Sequence, residues 1–201
     1  MKRRVLIALA PLMLAGCGYN QIQQYDEQAA QAKQQISVQL QRRADLVPNL
    51  VNTVKGYAQH EEAVFTQVAT ARAGLAGAIQ GGDPAAMATA NAQLTGALGR
   101  LIAVAEAYPQ LKADQGFLRL QDELTGTENR IATSRNDYNQ AVQAYNTYIR
   151  TFPQALTAKV TGAKARTYYE AAPGSEVAPT VDFGTRPTAA SSTGTAAPRA
   201  P

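Results

Sequence analysis

An all-α fold, an antiparallel bundle of three to four long helices, is predicted by three features of the sequence. Apolar residues recur at steps of three and four over most of residues 19–152. The same stretch is filled with good helix formers: Ala, Gln, Leu, Glu and Arg. Its firmest breaks, Gly81-Gly82-Asp83-Pro84 and Tyr108-Pro109, are short turn signals that let successive helices fold back on one another. A single long coiled coil that dimerises is the alternative, and these two breaks make folding back the more economical arrangement.

The first stripe is Ile22, Tyr25, Ala29, Ala32, Ile36 and Leu40, with Gln, Asp, Lys and Ser on the other positions. It widens through Leu46, Val47, Leu50, Val51, Val54 and Tyr57, and continues in Val64, Phe65, Val68 and Leu75. Pro48 falls inside it. Proline has no N–H and clashes with the preceding turn, so either one helix kinks or a second begins. The stripe keeps its phase across Pro48, which favours a kink. Asp83 suits a helix N-cap and Pro84 the first turn of residues 84–107. Met87, Leu94, Leu98, Leu101, Ile102 and Ala105 form one side of that helix. Tyr108-Pro109 ends it, because the residue before proline is pushed out of helical geometry.

The most regular pattern is Phe117, Leu120, Leu124, Thr127, Ile131, Ser134, Tyr138, Val142, Tyr145 and Ile149. Its steps approach a 3.5-residue repeat. Order weakens after Phe152-Pro153, with one more short helix expected within 154–169 and Gly162 inside it. The bundle is thus expected over 17–170, an irregular extension over 171–185, and a disordered Pro/Thr/Ala-rich tail over 186–201. A tail of that composition buries too little apolar surface to offset its ordering entropy.

Residues 1–16 read as a lipoprotein signal peptide. A basic start, Lys2-Arg3-Arg4, precedes a short apolar run from Val5 to Gly16, broken by Pro11. That run is too short to span a bilayer as a helix. Leu14-Ala15-Gly16-Cys17 resembles the bacterial lipobox, in which the Cys receives lipid and becomes the mature N-terminus. Cys17 is the chain's one cysteine. Two or more acyl chains anchor stably where one binds marginally. The expected address is a membrane surface facing an extracytoplasmic compartment. Gly18 after the Cys points to the outer membrane, facing the periplasm, in a diderm. In a monoderm the address is the outer face of the cell membrane.

Charge and composition exclude several function classes. The chain carries 19 Lys+Arg and 15 Asp+Glu, and loss of Lys2, Arg3 and Arg4 with the signal leaves 16 against 15. The remaining basic residues are scattered, so nucleic acid is not an expected partner. One Cys excludes an internal disulfide and a thiolate-built zinc site. One His, His60, has Tyr57 three residues before it rather than Glu, which argues against a di-iron bundle, and no metal or cofactor is expected. No glycine-rich phosphate loop follows a strand, and no Ser has a His near it in sequence.

Two polar groups stand out. Arg42, Arg43, Asp45 and Asn49 surround Pro48. Arg42 and Asp45 are spaced to pair on one face, and Asn49 is placed to satisfy a freed carbonyl; the four are also candidates for a partner-docking patch. Glu106, Glu128, Asn129 and Arg130 are expected to form a structural, salt-bridged polar network.

Separated blocks of the sequence resemble the LemA family. They are Gln39 to Val51, Thr53 to Ala58 with His60-Glu61, Ala107-Tyr108-Pro109 with Leu111-Lys112-Ala113, Leu118 to Gln121 with Glu123-Leu124, and Gly126 to Ala132. Tyr138-Asn139, Tyr145-Asn146 and Phe152-Pro153 follow, and Gly18-Tyr19-Asn20 with Asp26-Glu27 fits the entry to the first helix. The resemblance covers residues 18–183. It implies a membrane-associated, extracytoplasmic-facing helical bundle with no generally accepted catalytic residues. Many members carry Trp near the position of Lys33, so a contact made by that Trp is absent here. The resemblance includes members linked to internal membrane formation.

The expected function is a lipid-anchored helical scaffold or adaptor at the cell envelope, without catalysis, joined to the membrane through Cys17 and to a protein partner. One alternative is a homo-oligomeric structural protein that organises a membrane, with the Phe117–Ile149 seam packing between subunits. The other is an enzyme with a carboxylate site in the bundle, for which Glu106, Glu128 and Arg130 are the first residues to test.

Overall fold

Helix α1 (Lys2–Lys55) runs unbroken through both Pro11 and Pro48. In this computed structural model the backbone is described over residues 2–170 and the side chains over residues 18–170. The proposed signal segment, the Cys17 side chain and the two segments expected beyond residue 170 therefore lie outside the described side chains. Pro11 does not break the helix, although its sequence position predicts a break. Strong helix formers on both sides carry the ladder across the one missing N–H.

Pro48 leaves the Ala44 carbonyl without its intrahelical donor. Arg72 on the next helix supplies one: its Nε donates to Ala44 O at 2.8 Å. Asn49, expected to do this, is exposed, and its own carbonyl accepts from Thr53 Oγ1. The proline thus marks where α2 docks.

The chain leaves α1 at Gly56, a poor helix former, so the stripe does not continue through Tyr57 as its spacing predicted. Tyr57 is exposed and its hydroxyl donates to Asp114 Oδ2 at 3.2 Å. Helix α2 (Glu62–Gly81) ends on Gly82, whose φ of 68° favours glycine. Helix α3 (Pro84–Glu106) starts as the sequence predicted: Asp83 accepts from the Ala85 and Ala86 N–H groups, with Pro84 in the first turn. The single turn α4 (Pro109–Lys112) leads to α5 (Gln115–Tyr148). Asp114 caps α5 by accepting from Phe117 N at 2.8 Å, and that bond holds its carboxyl below the usual carboxylate range. Helix α6 (Gln154–Thr161) closes the set at Gly162, which ends the helix rather than lying inside it.

Among the described residues there are six helices and no strand. The most extensive interface is α1 against α5. Tyr57 meets Asp114 at one end and Tyr25 meets Tyr148 at the other, with ring centroids 5.1 Å apart, so the pair is antiparallel. The α2–α3 hairpin packs on the Lys33–Lys55 part of α1, where Lys33 Nζ donates to Gly82 O at 3.2 Å. Lys33 thus places a cation at the C-terminal end of α2, favourable to the helix dipole.

Two cores result. The larger gathers α1, α2, α3 and α5 around Ile36, Leu40, Leu50, Leu75, Leu94, Leu101 and Ile131. The smaller is Ile22, Tyr145, Ile149 and Ala158. The Phe117–Ile149 seam is buried within the chain as its spacing predicted, from Phe117 through Leu124, Ile131, Tyr138 and Val142 to Ile149. It faces α1, so it is not free to pack between subunits.

Candidate functional site

Three polar groupings are candidates for function. The first lies in the middle of the larger core. Arg43 is 5% exposed, and its Nη1 donates to Asn91 Oδ1 on α3 at 2.7 Å and pairs with the Glu128 carboxylate on α5. Burial pulls the guanidinium below arginine's ordinary range, and the Glu128 carboxylate opposes that shift. The node therefore ties three helices through one side chain. The Tyr169 hydroxyl is buried near it without a hydrogen-bond partner, and burial pushes that phenol up to about 12.

This corrects two readings of the sequence. Arg43 is core, not docking surface: its position on the stripe-side of α1 turns it inward, while Arg42 faces solvent. Glu128 pairs with Arg43 rather than with its sequence neighbour Arg130. Helical residues two apart point about 200° apart, on opposite sides of the helix, whereas Arg43 lies directly across the α1–α5 interface. Arg130 is exposed and lies over Gly126 on its own helix. Asn129 and Glu106 are exposed too, so the four residues do not form one network.

The second grouping was not anticipated. Residues 163–170 form no helix, yet they are laid along α5 as an extended strap. Asn146 Nδ2 donates to Arg166 O at 2.9 Å while its Oδ1 accepts from Arg166 N at 2.8 Å. Asn139 holds Tyr169 in the same way, at 3.1 and 2.9 Å. Tyr138 Oη donates to Thr167 O at 2.7 Å. The geometry follows from the repeat. Seven helical residues span about 10.5 Å, and three extended residues span about 10 Å, so a Tyr-Asn pair repeated after seven residues grips every third residue of the strap. Arg166 then reaches Asp26 on α1 through two hydrogen bonds, at 2.7 and 2.9 Å. These bonds hold the Asp26 carboxyl below the usual range. The sequence signal was present in Tyr138-Asn139 and Tyr145-Asn146. The Asn positions lie beside the apolar stripe, which is where a side chain meets backbone laid along the helix.

The third is an exposed face of α1. Arg42, Asp45 and Asn49 line an open groove of about 650 Å³ together with Val38, Leu46 and Ile79. Arg42 and Asp45 do not pair; Asp45 accepts instead from Gln41 Nε2 at 2.8 Å, one helical turn away. His60 and Glu61 sit in the α1–α2 turn, and no cluster of three metal-ligating side chains occurs among the described residues.

The fold and its polar groups define a class: a helical bundle whose buried polar residues join its segments to one another. Arg43, Asn91 and Asn146 each bond across elements, and Thr127 bonds back to its own helix at Leu124 O. The chain belongs to the LemA family, which it matches over residues 32–183. Among curated proteins it is similar to magnetosome proteins MamQ 2 and MamQ 1 of Paramagnetospirillum magneticum, each 31% identical over 178 residues, covering 77% of this chain. Magnetosome protein MamQ of Magnetospirillum gryphiswaldense is 28% identical over the same coverage. The chain spans 65% of the length of these relatives.

Proposed function

We propose that this protein is a membrane-held helical scaffold or adaptor, lipid-anchored at Cys17 on the extracytoplasmic side of a bacterial envelope, and that it is not an enzyme. The observation that carries this reading is the use made of the polar side chains. Those inside the bundle hold its segments together, and those outside it, Arg42, Asp45 and Asn49, rim an open groove. The groove combines an apolar floor with charges of both signs, a composition suited to a protein partner. The anchor reading rests on Leu14-Ala15-Gly16-Cys17 and on the basic, short apolar leader. No helix among the described residues is long and apolar enough to cross a membrane.

The test is cross-linking in intact cells, followed by purification and mass spectrometry, with a Cys17→Ser chain beside the natural one. One dominant protein partner is expected, lost with the anchor and reduced by Arg42→Glu at unchanged stability. Recovery unaltered by reversing Arg42 and Asp45 removes the groove from the reading. The relatives named as magnetosome proteins favour a second reading, a homo-oligomeric structural element that organises a membrane. Self-links alone in the same experiment support it, and a strict monomer in sedimentation at high concentration removes it. With the Phe117–Ile149 seam buried inside the chain, such an oligomer needs another face.

A further inference from the structure

We infer that helix α6 is a second membrane contact: its outer face, Phe152, Leu156 and Val160, lies in the interfacial layer of an anionic lipid surface. The inference rests on the reading that the chain is held at a membrane.

Three observations carry it. The first is exposure. Phe152, Leu156 and Val160 are 77%, 61% and 88% exposed, the three most exposed large apolar side chains among the described residues. A step of four places Leu156 and Val160 on one face of the helix, and Phe152 stands exposed in the turn that enters it, while Ala158 faces the small core. The second is position. Helix α6 packs on α1 near Gly18, where an added Cβ would stand 3.5 Å from Thr157 Oγ1. The helix that carries the apolar face therefore packs, through Thr157, beside the residue that follows Cys17, where an anchor brings the chain to lipid. Tyr19, next in sequence, is also exposed.

The third is charge. Residues 149–169 contain Arg150, Lys159, Lys164 and Arg166 and no acidic residue. Arg166 is held by Asp26; Arg150, Lys159 and Lys164 are exposed and have no salt-bridge partner among the described residues. An apolar face flanked by cations is what an interfacial helix presents to anionic headgroups, with the long basic side chains reaching up to the phosphates. A second copy of the chain is a poor occupant, because a symmetric contact sets these cations against themselves.

The chain has no tryptophan, so one introduced residue is a clean reporter. Val160→Trp and Leu156→Trp full-length chains are reconstituted with vesicles of phosphatidylethanolamine and phosphatidylglycerol. Tyr57→Trp, at the opposite end of the bundle, serves as the control. The indoles of Val160→Trp and Leu156→Trp are expected to shift their emission to the blue and to lose most of it when the acyl chains are brominated. The indole of Tyr57→Trp is expected to do neither, and Lys159→Glu with Lys164→Glu is expected to reverse much of the quenching. A Val160→Trp chain that floats with vesicles while its indole emission stays water-like overturns the inference and leaves the anchor standing. A blue shift without bromine quenching also overturns it, since a protein surface then covers the helix. A chain that does not float removes the anchor and this contact together.

Discussion

The two cores of this bundle are held by different forces. In the larger, α1, α2, α3 and α5 bury a long series of aliphatic side chains, and one buried arginine adds a polar link among them. In the smaller, Ile22, Tyr145, Ile149 and Ala158 are all that is fully buried. There the extended strap takes the place of a helix hairpin, held by Asn146 and the Arg166–Asp26 pair before Tyr169 enters the larger core. At about 25 cal/mol per Å² of apolar surface, four residues contribute little beside the larger set. Where burial is thin, fixed hydrogen bonds determine how the chain lies. Where it is thick, a polar group selects which helices meet and at what register, at some cost in desolvation.

The strongest test of that contrast is an asymmetry within one ion pair. Glu128→Ala leaves Arg43, 5% exposed, with an amide oxygen as its remaining acceptor. Breaking a buried pair in this way costs about 3 kcal/mol. Arg43→Met leaves Glu128, which is 42% exposed and regains water, while the thioether chain fills the core. The Asn91 Oδ1 that loses its donor is the remaining penalty, so the cost is expected to be about 1 kcal/mol. Urea unfolding of the two variants measures both. Equal losses would mean that the two partners are equally demanding and that burial of Arg43 does not set the cost; a larger loss in Arg43→Met would make Glu128 the more demanding one.

In the strap, Asn146→Ala removes two hydrogen bonds and orphans the Arg166 N–H and C=O, an expected loss of about 2 kcal/mol. Amide exchange locates the effect. The Arg166 amide is expected to lose protection, whereas that of Tyr169, gripped by Asn139 and seated in the larger core, keeps most of it. Loss of both together would show that the strap detaches as one unit. The Pro48–Arg72 link offers a smaller test. Arg72→Ala is expected to cost about 1 kcal/mol, and much less in a Pro48→Ala chain, where an N–H is restored to Ala44 O. An undiminished cost in the double variant would show that Arg72 acts through packing in the α1–α2 groove.

The difference between the cores also explains what the sequence made legible. Ile22, Ile36, Leu40, Leu94, Ile131 and Val142 announce themselves by helical spacing, because burying a helix face imposes that period. The strap has no period to read. Residues 163–169 are small, basic or aromatic, and their order comes from Asn side chains elsewhere in the chain. Gly56 illustrates another limit: the apolar stripe remains in phase across the turn, so phase alone did not reveal that the chain reverses there. Arg43 illustrates a third. A basic pair, Arg42-Arg43, looks like surface in sequence, and only the neighbouring helices decide which member turns inward. Arg72 had no local signal at all, since its partner is the carbonyl that a proline frees on another helix.

The smallest effect expected is in acid, and it belongs to the smaller core. Arg166 hydrogen bonding depresses the Asp26 carboxyl in the folded chain. A depressed carboxylate stabilises the fold above its unfolded value, about 3.9, and that contribution is lost as pH falls through the folded value. Asp26 is 38% exposed, so solvent screening holds the contribution to under about 1 kcal/mol. Asp26→Asn is therefore expected to flatten the acid limb of the stability curve below about pH 4, with little change in the larger core. Added salt is expected to shrink the difference between the two chains, because the pair is partly open to water. Amide exchange at Arg166 and at Leu40, followed while the pH is lowered, separates the two cores. Early loss at Arg166 alone means the strap is held electrostatically; simultaneous loss at both means that the two cores unfold as one and that the polar clamps merely report it.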